Sequence, residues 1–338
     1  MTTAAPGRPT PKADLPMLRR GLLFLSDSKG ARKVLTGTPL TRSASQRFVP
    51  GEKVDDVVRA AHEARELGLT ITGNYLGEAV QNEADARKAA DTYIELVRRI
   101  EAENLPANCS LKFTQMGQDI SEAFLAENLG RLLEVADRAG VFLRFDMEGS
   151  DYTQRTLDAF ERLWADGWTN TGVVLQAYLK RTPADVRRMI ELGARVRLCK
   201  GAYAEPPSVA HQDMAQIRES FIESMKWLIS EGNYPGIATH DEVILDAARE
   251  FVQREGIGSD RFEFQMLYGV RRDLQRQLVD DGYKMRVYVP FGEKWYPYLM
   301  RRLAERPDNL KFMVGSVIKE SPFGFLWPDR NSNDDRSR

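Results

Sequence analysis

The densest run of chemistry-capable side chains in this 338-residue chain is Arg197-Leu198-Cys199-Lys200-Gly201-Ala202-Tyr203. Side chains alternate along a strand, so Arg197 and Cys199 share one side while Leu198 and Lys200 share the other. Cations at a strand end suit an anionic ligand, and the small Gly201-Ala202 pair lets backbone approach that ligand closely. For either cation alone, a structural ion pair is the plainer reading. A second group is Tyr298, Arg301, Arg302 and Glu305, whose spacings of three, four and seven put them on one side of a helix. Adjacent guanidinium groups donate paired hydrogen bonds to a carboxylate or phosphate, although a solvated Arg-Arg pair is the alternative. Asp146 ends the run Val-Phe-Leu-Arg-Phe-Asp, and Lys112 lies inside Ser-Leu-Lys-Phe-Thr. A charge within a strand is costly to bury alone, so an Asp146–Lys112 pair is expected, either structural or part of a site. His240 follows Thr239 without a second histidine nearby. With three histidines and two cysteines, Cys109 and Cys199, in the whole chain, neither a metal centre nor a disulfide framework is expected. Gly-x-Gly-x-x-Gly after a strand, a Walker loop and His-Glu-x-x-His are all missing. A nucleotide cofactor would need some seat other than a Rossmann unit.

The elements that must position these residues repeat eight times as a short apolar or β-branched run followed by a helical stretch. The runs are Leu69–Asn74, Ser110–Gln115, Val141–Asp146, Gly172–Gln176, Ala194–Lys200, Gly236–His240, Arg261–Gln265 and Lys284–Tyr288. Eight strand-then-helix units predict an α/β fold, a (βα)8 TIM barrel, because parallel strands need crossovers and a closed sheet leaves no edge. Its active face lies at the strand ends, so Asn74, Gln115, Asp146, Gln176, Lys200, His240, Gln265 and Tyr288 are expected to converge there. Helices are predicted over 53–67, 83–101, 121–139, 152–164, 182–192, 208–229, 242–254, 270–279 and 294–304. A short amphipathic helix over Leu15–Leu25, together with Lys53–Leu67, reads as a cap on the closed end of the barrel.

Length and composition fit this plan. At 42% hydrophobic residues the chain accommodates one barrel of about 250 residues with extensions. The expected organisation is a disordered leader over 1–14, N-terminal helices over 15–66, a catalytic barrel over 67–319 with Leu310–Ile318 packed outside it, and a polar tail over 320–338. Net charge is -1, from 48 basic and 49 acidic residues, which gives no case for nucleic acid. Residues 269–306 hold nine Lys or Arg against five Asp or Glu, an excess that suits an anionic ligand or a solvated helix face. Without a secretory pattern or an apolar run of membrane length, the expected location is cytoplasmic.

Several blocks in order then resemble the proline dehydrogenase family in its monofunctional bacterial form. They are Tyr75-Leu76-Gly77-Glu78, Leu111–Gln115, Asp146-Met147-Glu148-Gly149, Val174–Leu179, Arg197–Tyr203, Ala238–Asp241, Phe264–Gly269, Arg286–Pro290 and the Tyr298–Glu305 helix. The resemblance spans about Leu67 to Val314. It implies a distorted (βα)8 barrel with a helix over its mouth, FAD as cofactor, and oxidation of L-proline to Δ1-pyrroline-5-carboxylate by hydride transfer to flavin N5. By the same resemblance Gln176, Arg197, Lys200, Gly201, Ala202, Thr239 and His240 match FAD-contacting positions. Lys112, Arg301 and Arg302 match the group holding the proline carboxylate, and Ala202, Tyr203, Leu267, Tyr288 and Tyr298 match the walls of the substrate pocket. Glu78 and Arg301 match a gating ion pair. Asp146, Arg197 and Tyr288 are the expected catalytic residues, with no metal. The implied electron acceptor is a membrane quinone, reached at the inner membrane face; the oligomeric state is left open, with a homo-oligomer among the alternatives. The rivals are an FAD barrel of the methylenetetrahydrofolate reductase type, a Schiff-base aldolase using Lys200, and a non-catalytic binding module.

Overall fold

Eight short parallel strands close on one another in chain order in the computed structural model, which describes residues 46–77 and 80–305 and, for 301–305, the backbone alone. They are β1 (Thr70–Tyr75), β2 (Ala107–Leu111), β3 (Leu143–Phe145), β4 (Thr171–Gln176), β5 (Arg195–Cys199), β6 (Gly236–Ala238), β7 (Glu263–Leu267) and β8 (Met285–Phe291). The ring is sealed where β1 runs beside β8 from Thr70↔Arg286 to Tyr75↔Phe291. The helices are α1 (Val54–Glu66), α2 (Glu83–Ala102), α3 (Glu122–Arg138), α4 (Ser150–Ala165), α5 (Thr182–Leu192), α6 (Met214–Glu231), α7 (Glu242–Glu255), α8 (Arg272–Asp280) and α9 (Trp295–Glu305). Residues 47–295 make one compact unit, which holds the barrel; residues 1–46 and 296–338 make a second. Within the second unit, α9 is the described element from Tyr296 onward.

Period-two alternation divides each strand between two environments. Leu143 and Phe145 of β3 are fully buried, and Phe145 meets Phe160 of α4 at 6.2 Å between ring centroids. Phe264 of β7 likewise packs outward on Phe262 and Tyr283. The intervening residues point inward and are polar: Thr72, Asn108, Ser110, Arg144, Arg197, Glu263 and Gln265 are all buried. A barrel interior is usually layered with branched apolar side chains. Here the apolar core lies between strands and helices, while the lumen is a hydrogen-bonded polar stack.

The helix boundaries follow local capping. Ser121 accepts from the Phe124 amide at the start of α3, Asn82 does the same for Asp85 in α2, and Gly193 ends α5 in the left-handed region. Four expectations need correction. The second predicted strand ends at Leu111, not Gln115: after Lys112 the chain tightens into a 3-10 turn over Thr114–Met116 that stops at Gly117. The fifth barrel helix, α6, begins at Met214, not Ser208, because the Leu179↔Ala210 bridge pins the preceding loop and Asp213 caps the Ala215 and Gln216 amides. Gln265 and Tyr288 sit within strands that run on past them, to Leu267 and Phe291, and so lie lower in the lumen than strand-end residues. Finally, α1 packs outside β1 and β8 instead of capping the closed end; Val57 lies 3.4 Å from where a Cβ on Gly73 would stand. The predicted helix at 15–25, the stretch 310–318, the leader and the tail lie outside the described residues.

Candidate active site

β3 delivers Asp146 to the C-terminal end of the barrel, where its amide donates to Leu111 O at 2.7 Å. Both oxygens of its carboxylate accept hydrogen bonds. Oδ1 accepts from Ser110 Oγ at 2.6 Å and from Arg197 Nη1 at 2.8 Å, and Oδ2 accepts from the Tyr288 hydroxyl at 2.9 Å. The ion pair seen for Asp146 is therefore with Arg197, where the sequence had offered Lys112. Arg197 is 4% exposed. Its Nε donates to Gln265 Oε1, its Nη1 also reaches Ser110 Oγ at 3.0 Å, and its guanidinium carbon lies 5.3 Å from the centroid of the Tyr288 ring. Nη2 is buried and has no partner among the described residues. Ser110 is itself held from behind: its carbonyl accepts from the Tyr93 hydroxyl at 2.7 Å and from Asn74 Nδ2 at 2.9 Å.

A second group lines the neighbouring strand ends. Gln176 donates to Glu148 O at 2.8 Å, and the Glu148 carboxylate accepts from Thr114 Oγ1. Lys112 is buried nearby in sequence, directly after β2. Lys200 donates to Asp241, whose Oδ2 also accepts from Arg218 Nε at 2.9 Å and whose Oδ1 caps the Val243 amide of α7. Burial raises the Asp241 carboxyl, but Arg218 and Lys200 outweigh it, leaving the group below the usual aspartate value. Thr239 Oγ1 accepts from the Asp241 amide at 3.1 Å. Nε2 of His240 accepts from the Leu267 amide at 3.0 Å, which fixes a tautomer with the proton on Nδ1.

Gly201 has φ +106, and a Cβ there would stand 2.2 Å from the Tyr178 ring, so this position requires glycine on two grounds. Ala202 and Tyr203 beyond it are exposed. The loop that carries them is anchored by Glu205, whose carboxylate accepts from the Ser150 amide at 2.7 Å and from Ser150 Oγ. This supplies the N-terminal cap that Gly149 cannot give α4.

The structure thus joins Asp146, Arg197 and Tyr288 in one hydrogen-bonded cluster and links Lys200 to Thr239 through Asp241. Tyr298 belongs to the second unit, while Glu78 and the side chains of Arg301 and Arg302 lie outside the described residues. Sequence reasoning missed Ser110 and Asp241 as partners. Ser110 is two residues before Lys112 on the inward face, and that alternation is the signal that could have found it.

Residues 57–314 match the family model described as Proline dehydrogenase. The chain is 36% identical over 304 residues to proline dehydrogenase 1 of Bacillus subtilis, covering 90% of this chain and 100% of that protein. It is 38% identical over 281 residues to proline dehydrogenase of Deinococcus radiodurans, covering 81% and 90%. The crystal structure of proline utilization A from Bdellovibrio bacteriovorus inactivated by N-propargylglycine superposes with a TM-score of 0.77 at 25% identity, over 92% of this chain and 39% of that one. The chain spans about two fifths of that longer protein.

Proposed function

The chain belongs to the proline dehydrogenase family, and from that premise we propose that it oxidises L-proline to Δ1-pyrroline-5-carboxylate in proline catabolism, using FAD at the barrel mouth and a quinone as electron acceptor. The observation that carries the reading is the buried Arg197 guanidinium, anchored by Asp146 and Gln265 yet keeping Nη2, with its two N–H donors, unspent. A flavin fits that donor set, since a reduced isoalloxazine bears negative charge that a desolvated guanidinium stabilises. When bound, the flavin supplies the acceptor for the hydride leaving the ring carbon beside the proline nitrogen.

The protein's own part is binding and orientation. Gln176, Arg197, Lys200, Gly201, Ala202, Thr239 and His240 would hold the cofactor. Lys112, Arg301 and Arg302 would take the proline carboxylate, so that one face of the ring is presented. By the family resemblance Ala202, Tyr203, Leu267, Tyr288 and Tyr298 would form the walls, with Glu78 and Arg301 as the pair that closes the pocket. Asp146 accepts from Ser110, Arg197 and Tyr288, so its role would be to fix Arg197 and Tyr288. No described helix is long and apolar enough to cross a membrane. The family match argues against the reductase and aldolase readings, and the ion pair of Lys200 with Asp241 speaks against a nucleophilic lysine.

The test is the visible spectrum of the purified protein before and after anaerobic addition of L-proline. Bleaching of a flavin band is the expected result. A flavin band indifferent to proline overturns the substrate, and a colourless protein that takes up no FAD overturns the cofactor.

A further inference from the structure

Below the Asp146–Arg197 pair, the lumen holds a second charged pair that the proposed reaction does not use. Glu263, the first residue of β7, is 3% exposed and accepts from Arg286 through both oxygens, Nε to Oε1 at 2.6 Å and Nη2 to Oε2 at 3.0 Å. Burial pushes its carboxyl up, but the Arg286 charge and hydrogen bonds, with help from Arg144, bring it below the ordinary glutamate value. Glu263 Oε1 also accepts from Gln265 Nε2 at 2.6 Å, and Gln265 Oε1 in turn accepts from Arg197 Nε.

The chemistry of the two ends dictates the orientation of the amide between them. An ionised carboxylate only accepts, so the Gln265 atom facing Glu263 must be the NH2 group. A guanidinium only donates, so the atom facing Arg197 must be the carbonyl oxygen. Room for this amide comes from Gly236 on the adjacent β6, where a Cβ would stand 2.3 Å from Gln265 Nε2. Arg197 is then held at Nε by Gln265 and at Nη1 by Asp146, which leaves Nη2 as its remaining donor.

We propose that Glu263 is a positioning residue: through the amide of Gln265 it fixes the Arg197 guanidinium, so that the unspent donor faces the bound flavin. The proposal rests on the functional reading above. Neutralising Glu263 removes the constraint, because a glutamine there can donate as well as accept. With its single carbonyl oxygen taken by Arg286, that glutamine turns its NH2 group to the NH2 group of Gln265, so the Gln265 amide can no longer satisfy both neighbours and its hold on Arg197 loosens.

The test compares the FAD-loaded wild type with Glu263→Gln, Gln265→Met and the exchange Glu263→Gln/Gln265→Glu, which restores an acceptor to Arg197 by another route. Both single variants are expected to lower kcat about 10-fold, as loss of an outer orienting partner does, while proline KM stays close to the wild-type value. Both should move the midpoint potential of the bound flavin to more negative values, because the reduced, anionic ring loses a well-placed cation. The exchange should recover most of both losses. Wild-type kcat and potential in the two singles, or an exchange as impaired as they are, would overturn the proposal. Gln265→Met leaves the Glu263–Arg286 pair intact and carries the test alone if the exchange fails to fold. Because the potential is read without proline, a protein that binds flavin but ignores proline defeats the substrate reading while still testing the positioning role. A wild type that binds no flavin defeats both.

Discussion

Arg286 and Arg197 are two guanidiniums inside one barrel, and they are spent differently. Arg286, low in β8, commits all three nitrogens: Nε and Nη2 to Glu263, and Nη1 to Ile71 O at 2.7 Å. Arg197, higher in β5, commits Nε and Nη1 and keeps Nη2. Charge does not separate the two residues; leftover donor capacity does, and the one with capacity to spare is the more deeply buried. Each buried polar group without a partner calls for an explanation, and at Arg197, which sits among the residues matching cofactor positions, a ligand supplies one.

The largest expected effect comes from a change that strikes both clusters. Gly236→Ala places a methyl where the Gln265 amide sits, so stability should fall by about 1–3 kcal/mol and kcat should fall with it. Urea denaturation and steady-state kinetics on one preparation would check this, and a variant normal in both would show that Gln265 does not connect the clusters. Lysine at each arginine then separates them. Arg197→Lys keeps the charge but loses the fork, and kcat for proline should drop about 100-fold with little change in the denaturation midpoint. Arg286→Lys should do the reverse, costing about 1–3 kcal/mol of unfolding free energy with kcat nearly preserved. If the two variants behave alike, the contrast drawn from donor counting fails.

A smaller effect concerns acid. The folded-state value of Glu263 lies below its ordinary 4.5, so its contribution is complete above that value and lost as pH falls through the lowered one. Asp241 behaves the same way below 3.8, which deepens the loss. Denaturation midpoints measured from about pH 6 down to about pH 3 should fall more steeply for the wild type than for Glu263→Gln. Smallest of all, Tyr288→Phe removes one of three donors to Asp146, and a decrease in kcat of about 5-fold is expected, consistent with one hydrogen bond of about 1 kcal/mol.

Much of this was legible in the sequence. The eight-unit rhythm predicted the closed barrel, and the Arg197–Tyr203 run marked the strand that carries the anchored cation. Asp146 was readable as a charge in need of a partner. Its partner was not, because Arg197 and Lys112 are equally plausible until β2, β3 and β5 are set in register around a closed ring. For the same reason Glu263, Arg286 and Arg144 passed unnoticed. Each is an ordinary charge near a strand start, and only closure turns those starts into a shared interior. The false strand end at Gln115 and the false helix start at Ser208 have local causes instead, a 3-10 turn ended by Gly117 and a loop held by the bridge to Leu179.

The bond from Glu205 to Ser150 has a consequence for motion. The loop bearing Ala202 and Tyr203 cannot lift away from the mouth without stripping α4 of its cap, because one carboxylate serves both. Opening at β5 is thereby coupled to fraying at the start of a helix that follows β3. The Ser150 amide proton is then a local clock: its hydrogen–deuterium exchange should run at the rate at which the loop opens, and should slow when a ligand holds the loop down.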